Sequence, residues 1–191
     1  MSIYFASSNK NKLKEATKIL AKYEIIVESI FLECPEIQSN DLEEISKFSA
    51  KFAFKEVRHP VFVEDSGIFI EILNGFPGPY SSYVQKTIGN EGILKLMQKK
   101  ENRNAIFKSV IAYCEGEDFI KTFIGQTIGI ISTEILKGNN GGWGFDPIFL
   151  PKEGNNKTYA EMGTEEKNKI SHRKKSLEKF GKWFKSRTII S

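Results

Sequence analysis

Ile3 to Leu20 reads IYFASSNKNKLKEATKIL. It opens with a short apolar run, Ile3 to Ala6, of the kind a buried strand requires. It closes with Leu13, Ala16, Thr17, Ile19 and Leu20, whose spacing marks one face of a helix. The polar turn SSNKNK, Ser7 to Lys12, lies between them. Strand, turn and helix in that order begin an α/β fold, and the next segments repeat the pattern. Glu24 to Phe31 reads as a second strand, and CPEIQSNDLEE is a turn region leading into a helix over 42–57. Alternation of this kind predicts a sheet covered by helices.

Further along, Val61 to Val63 reads as a buried strand ending in the acidic pair Glu64 and Asp65, followed by Ser66 and Gly67. Ile68 to Leu73 continues as strand, NGFPGPYS is a loop dense in turn formers, and 89–99 reads as a helix. Ala105 to Cys114 and Phe119 to Ser132 form a hairpin around the turn EGED, expected to build a second lobe. Thr164, Glu165 and Glu166 read as a helix start, with Ile170, Leu177, Phe180 and Phe184 facing the core as far as about Lys185.

A chain of 191 residues, 40% of them hydrophobic, is long enough to bury a real core and excludes disorder as its main state. The net charge of +4, from 28 basic and 24 acidic residues, is too mild and too interspersed to indicate nucleic acid. A small polyanionic ligand suits it equally well. Cys34 and Cys114 are far apart and outside any CxxC pattern, so neither a disulfide framework nor a zinc site is indicated. No signal peptide opens the chain and no apolar run approaches the length of a membrane helix, which predicts a cytoplasmic protein.

Four segments are suited to chemistry. Ser7, Ser8, Asn9, Lys10, Asn11 and Lys12 combine polar side chains and two cations at a helix N-terminus, an anion site in form, although a capped solvated turn has the same composition. Glu36 in CPEIQ, with Glu64 and Asp65, supplies the oxygen ligands a hard cation takes alongside phosphates and water. Asp65 is suited to holding metal or to accepting a proton from an attacking water. Trp143, Gly144, Phe145 and Asp146 pair aromatic rings with flexible glycine and a carboxylate able to accept hydrogen bonds from ring nitrogens; core packing is the other reading of the two aromatics. Lys167, His172 and Arg173 in EEKNKISHR do not share one helical face, so a helix break would be needed for them to converge. His172 and Arg173 can donate to a carbonyl oxygen, which distinguishes a keto ring from an amino ring.

Taken in order, ASSNKNKLKE, PEIQ, VEDSG with LNGFPGPYS, GWGFDPIF and YAEMGTEEKNKISHR resemble the inosine triphosphate pyrophosphatase family, the noncanonical purine NTP pyrophosphatases of the Ham1 type. The resemblance runs from Ile3 to Phe180, and EEKNxISHR and NGFPGPYS are its specific signals. It implies a single 1–191 domain with an elongated two-lobed mixed sheet flanked by helices, a nucleotide cleft between the lobes, and a homodimer. It also implies magnesium-dependent hydrolysis of ITP, dITP and XTP to the monophosphate and pyrophosphate. Carried onto matching positions, Ser7 to Lys12 would bind phosphates, and Glu36 and Asp65 would hold Mg2+, with Asp65 also the proton acceptor. Ser66 would touch substrate, Trp143 to Asp146 would hold base and sugar, and Lys167, His172 and Arg173 would meet the base and phosphates.

Two departures accompany the match. Ser7, Ser8 and Asn9 stand where the family commonly has Thr-Gly-Asn, which matters if the middle position needs a positive φ. Trp143 stands where phenylalanine or tyrosine is common. A lysine of the second helix contributes in some members, and Lys51 is the nearest candidate here. The rival readings are a Maf-type pyrophosphatase of other modified nucleotides, and a non-catalytic module that stacks single-stranded nucleic acid on Trp143.

Overall fold

The computed structural model describes residues 1–35, 37–138 and 142–188. Strand β1 (Ser2–Ala6) leads into helix α1 (Lys10–Leu20) and then strand β2 (Ile26–Ile30), the order predicted from Ile3 to Phe31. Asn9 starts α1: its side chain accepts hydrogen bonds from the backbone N–H of Asn11 at 2.9 Å and Lys12 at 3.2 Å, two donors a helix start leaves without partners. Of the residues spaced for one face of α1, Ala16, Ile19 and Leu20 are buried, Leu13 is half-buried and Thr17 is exposed. Helix α2 (Leu42–Val57) begins where Asp41 accepts from Glu43 N–H and ends where Arg58 turns left-handed at φ 58°, so its bounds are those read from the sequence.

Strand β3 (Val61–Ile70) does not stop at the acidic pair. It runs through Ser66 and Gly67, because Gly67 allows the two-residue strand β4 (Pro77–Gly78) to pair beside it, with Ile68 opposite Gly78 and Phe69 opposite Pro77. A Cβ on Gly67 would lie 2.2 Å from the Gly78 carbonyl oxygen. Ser81 closes this corner: its hydroxyl accepts from Ile68 N–H at 2.9 Å and donates to Gly78 O at 2.7 Å. The loop NGFPGPYS thus ends in a buried clamp, and a helix absent from the sequence reading, α3 (Ser81–Thr87), follows it before α4 (Gly89–Leu96).

The long strands β5 (Asn104–Cys114) and β6 (Ile120–Ile131) are the predicted hairpin strands, and β7 (Phe149–Pro151) completes the sheet. Among the described residues the order is β2-β1-β3-β5-β6-β7, with β4 on β3. β1 is parallel to β2 and β3, whereas β4 and β7 are antiparallel to their neighbours, so the sheet is mixed.

By compactness the chain divides into two units. One contains Met1–Asp65, Ser109–Gly125 and the chain from Arg173 onward; the other contains Ser66–Lys108 and Gln126–His172. The hairpin was expected to build one lobe, yet its tip belongs to the first unit and its open end to the second. Its strands are long enough to contribute to two cores. The first unit packs Phe5, Leu20, Phe62, Ile111 and Phe180 in one cluster and Ala50, Val61 and Ala112 in another. The second packs Ile68, Ile93, Phe107, Phe149 and Tyr159.

The C-terminal region also departs from one continuous helix. Helix α5 (Tyr159–Ile170) starts earlier than Thr164, at a reciprocal capping box between Thr158 and Glu161. It kinks at Gly163 (φ 68°), so helical turns resume at Thr164. Ser171 is extended (ψ 152°), and helix α6 (His172–Thr188) begins after it. The break needed to reorient His172 and Arg173 relative to Lys167 falls at Ser171.

Candidate active site

In the first unit the candidate residues gather at the end of β1 and the middle of β3. The N–H of Asn9 bonds the Ser7 hydroxyl at 3.2 Å, and Ser7 N–H bonds Ile30 O at 3.1 Å, which fixes the turn on the sheet. Ser8 is not among the described residues with positive φ, so the chain makes this turn without the conformation that glycine favours. No acidic residue sits in the first turn of α1, leaving the positive end of the helix dipole uncompensated there. Lys12 reaches across to β3, donating to Glu64 O at 2.7 Å and pairing with the Glu64 carboxylate at 3.0 Å.

Glu64 and Asp65 have opposite environments because successive strand residues face opposite sides of a sheet. Glu64 is buried; it pairs with Arg173 at 3.2 Å and accepts a hydrogen bond from Ser109 at 2.6 Å. Burial opposes its charge, but Arg173, Lys12 and the Ser109 hydroxyl outweigh that and hold the carboxyl well below the usual range. Arg173, also buried, pairs with Glu15 of α1 at 2.7 Å, and the two carboxylates raise its pKa against the effect of burial. Asp65 is half-buried, and its carboxylate accepts from Ser46 of α2 at 3.0 Å. Ser46 is an α2 side chain on Asp65 that the sequence did not single out. Lys51 is exposed and lines a shallow hollow with Phe54, Cys114 and Asp118.

Glu36 lies outside the described residues. Among the described residues no three His, Cys, Asp or Glu side chains converge on a point. Magnesium does not need such a cage, since one or two carboxylates plus phosphate and water oxygens satisfy it. Asp65 beside a hydroxyl fits that donor chemistry.

In the second unit the glycine loop and α5 form a group of their own. Asp146 is buried; its Oδ2 accepts from Trp143 N–H at 3.1 Å and from the Lys167 ammonium at 2.7 Å. The carboxylate expected to meet ring nitrogens thus orients the loop and the lysine. The two aromatics divide: Phe145 joins the core, whereas Trp143 stays half-exposed with the Lys167 ammonium 5.2 Å from its ring centre. Gly144 is left-handed (φ 61°), and its carbonyl accepts from Asn90 of α4 at 3.1 Å. His172 is buried and stacks on Phe107 with ring centres 4.5 Å apart and planes 5° from parallel. Ser66, directly after Asp65 on β3, is half-buried.

Glu15, Ser46, Asn90, Ser109 and Ser176 were absent from the sequence reading. Ser176 shares a 2.9 Å hydrogen bond with Ser109. Each acts through a contact with a residue far away in sequence, and no local spacing signals such a contact.

A mixed-sheet α/β chain with a polar strand-to-helix turn, a strand-borne carboxylate pair and a lysine–aspartate pair at a tryptophan loop defines the class. The chain belongs to the Ham1 family, whose model matches residues 3–183. It is 53% identical over 186 residues to a Methanopyrus kandleri protein named dITP/XTP pyrophosphatase, covering 97% of each chain. A Thermococcus kodakarensis protein of the same name is 49% identical, covering 97% of this chain and 98% of its own. Among solved structures, the Staphylococcus aureus Ham1 protein superimposes with a TM-score of 0.84 at 28% identity, covering 98% of this chain and 100% of its own. A Coxiella burnetii HAM1 protein gives 0.85 at 30%, covering 97% of this chain and 99% of its own.

Proposed function

We propose that this chain hydrolyses the noncanonical purine nucleotides ITP, dITP and XTP to the monophosphate and pyrophosphate, using Mg2+, and so cleanses the nucleotide pool. The observation that carries the reading is the 53% identity over nearly the whole chain to a protein named for that reaction. The paired Asp146 and Lys167 at Trp143 agree with it, because they place a flat ring and a donor side by side.

The reaction breaks the bond between the α-phosphorus and the oxygen bridging to the β-phosphorus. Water oxygen attacks the α-phosphorus, pyrophosphate leaves, and the proton passes to a base, assigned here to Asp65. Positioning and charge neutralisation are the protein's main contributions to such a step. When bound, Mg2+ on Asp65 and Glu36 would neutralise phosphate charge and acidify nearby water. The amides and side chains of Ser7 to Lys12 meet the phosphates, with Lys10 and Lys12 assigned to the departing pyrophosphate. Trp143 stacks on the base, and Ser66 touches substrate. Lys167, His172 and Arg173 read the base edge and phosphates. Donors aimed at a 6-keto oxygen are left unpaired by the 6-amino group of adenine, a mismatch worth roughly 10⁴ in discrimination. The working form is a cytoplasmic homodimer; no helix among the described residues is long and apolar enough to cross a membrane.

The test is pyrophosphate release from ITP, XTP, GTP, ATP and dCTP, each with and without magnesium. Fast magnesium-dependent release from ITP and XTP, with slow release from GTP and ATP, is expected. Release from none of them would overturn the enzymatic reading in favour of a nucleic-acid-binding module.

A further inference from the structure

Trp143 stands between two left-handed glycines, Gly142 (φ 54°) and Gly144 (φ 61°), the residue type whose backbone turns most freely. Phe145, Asp146 and Ile148 just beyond are buried, but Trp143 is half-exposed, so burial alone does not set the direction of its ring. On the Gly142 side packing holds the chain. A Cβ there would lie 2.8 Å from Ala160 Cβ and 3.0 Å from Asp146 Cβ, and the Trp143 N–H donates to Asp146 at 3.1 Å. The Gly144 side is open: among the described residues, no atom of another segment lies within 4 Å of where a Cβ would stand. There the Asn90 amide of α4 donates to Gly144 O at 3.1 Å, reaching the loop across 54 residues of chain.

This bond is made at a local cost. A carbonyl only accepts, so the amide nitrogen of Asn90 has to face Gly144 O, and that turns Oδ1 away from it. Oδ1 is buried and meets no donor among the described residues. A buried acceptor without a donor lowers stability, and asparagine is a weaker helix former than leucine, a side chain of similar length. A buried group left unsatisfied in this way calls for a role outside the fold. The Lys167 ammonium, bonded to Asp146, lies 5.2 Å from the Trp143 ring centre, so a ring that turned away would also part from that cation.

We propose that Asn90 is a positioning residue for the base: its amide holds the Gly144 carbonyl and through it sets the Trp143 ring in the orientation on which a purine stacks. The inference rests on the reading above, in which Trp143 stacks on the base, and adds a side chain of α4 to that half of the site. Asn90→Leu removes the donor and the orphaned acceptor together. The chain has two tryptophans, so in a Trp183→Phe background time-resolved fluorescence anisotropy reads the Trp143 ring directly, without nucleotide. Asn90→Leu is expected to speed the depolarisation of Trp143 while leaving the thermal midpoint unchanged or raised. It should weaken IMP binding about five- to tenfold, and raise KM for ITP by the same factor with kcat unchanged, the pattern of lost ground-state binding. Binding of pyrophosphate, assigned to the turn Ser7 to Lys12, should not change. Asn90→Asp, the same shape without the donor, should weaken IMP binding alike. A lower thermal midpoint with Trp143 anisotropy and IMP affinity as in the parent would mean that Asn90 serves the fold alone, and would overturn the proposal. A loosened Trp143 with unaltered IMP affinity would overturn its link to the base. A parent that binds no IMP and releases no pyrophosphate from ITP would instead overturn the reading of the site, and with it the purpose assigned to Asn90.

Discussion

Glu64 and Asp65 are covalent neighbours with different tasks. Strand alternation sends Glu64 to the side where Lys12, Arg173 and Ser109 hold it as a buried anion. Asp65 faces α2, half-buried, with Ser46 orienting its carboxylate. A carboxylate enclosed by two cations is a poor proton acceptor, which leaves Asp65 as the residue suited to that role. Asp65→Asn keeps an acceptor for the Ser46 hydroxyl but removes the charge. It is expected to lower turnover of ITP or XTP by about 10²- to 10⁴-fold with the fold intact. Near-normal release of pyrophosphate by this variant, with an unaltered circular dichroism spectrum, would remove Asp65 from catalysis. At this scale the sequence offered the residue types but not their division of labour. The acidic pair, the tryptophan loop and the SHR segment stand out in one dimension, whereas the Ser46, Asn90 and Glu15 contacts depend on chain segments meeting.

Among the elements, β3 depends most on a single small side chain. Gly67 lets β4 approach so closely that a Cβ would sit 2.2 Å from Gly78 O and 2.8 Å from the Gly78 carbonyl carbon, both backbone atoms that cannot rotate away. Gly67→Ala is therefore expected to cost at least about 2 kcal/mol, read as a lower urea midpoint at unchanged slope. A variant as stable as the parent would mean that β4 is not held against β3 as described. Helices α1 and α2 were legible because polar turns and apolar spacing are local; the caps that fix their starts, Asn9 and Asp41, are seen in the structure. α3 was not, because Ser81 looks like loop continuation until its bonds to Ile68 and Gly78 are seen. The acidic pair looked like a strand end because polar residues usually mark one, yet β3 buries Glu64 inside an ion network and continues.

Across the whole molecule, that network sets the response to acid. The Glu64 carboxyl titrates lower in the folded chain than its unfolded value of about 4.3, because Arg173, Lys12 and Ser109 overcome the effect of burial. A depressed folded pKa means that the unfolded chain binds the proton more readily. The stabilisation is therefore complete above about pH 4.3 and is lost as pH falls toward the folded value. Urea unfolding should give a steady midpoint from neutral pH down to about 5 and a falling one below about 4.3. Glu64→Gln should flatten that fall while lowering stability at neutral pH by about 3 kcal/mol, since it takes the charge of Glu64 from Lys12 and from the buried Arg173, which keeps Glu15. An acid response identical in parent and variant would place its origin elsewhere. The sequence by itself determined the α/β alternation, most element bounds and the residue types available for chemistry, because periodicity, caps and turn formers act over a few residues. Only the tertiary structure decided which carboxylate is enclosed and which aromatic is core. It also decided where the last helix breaks and which side chain holds the tryptophan loop, since burial and pairing are set by partners that fold in from distant segments.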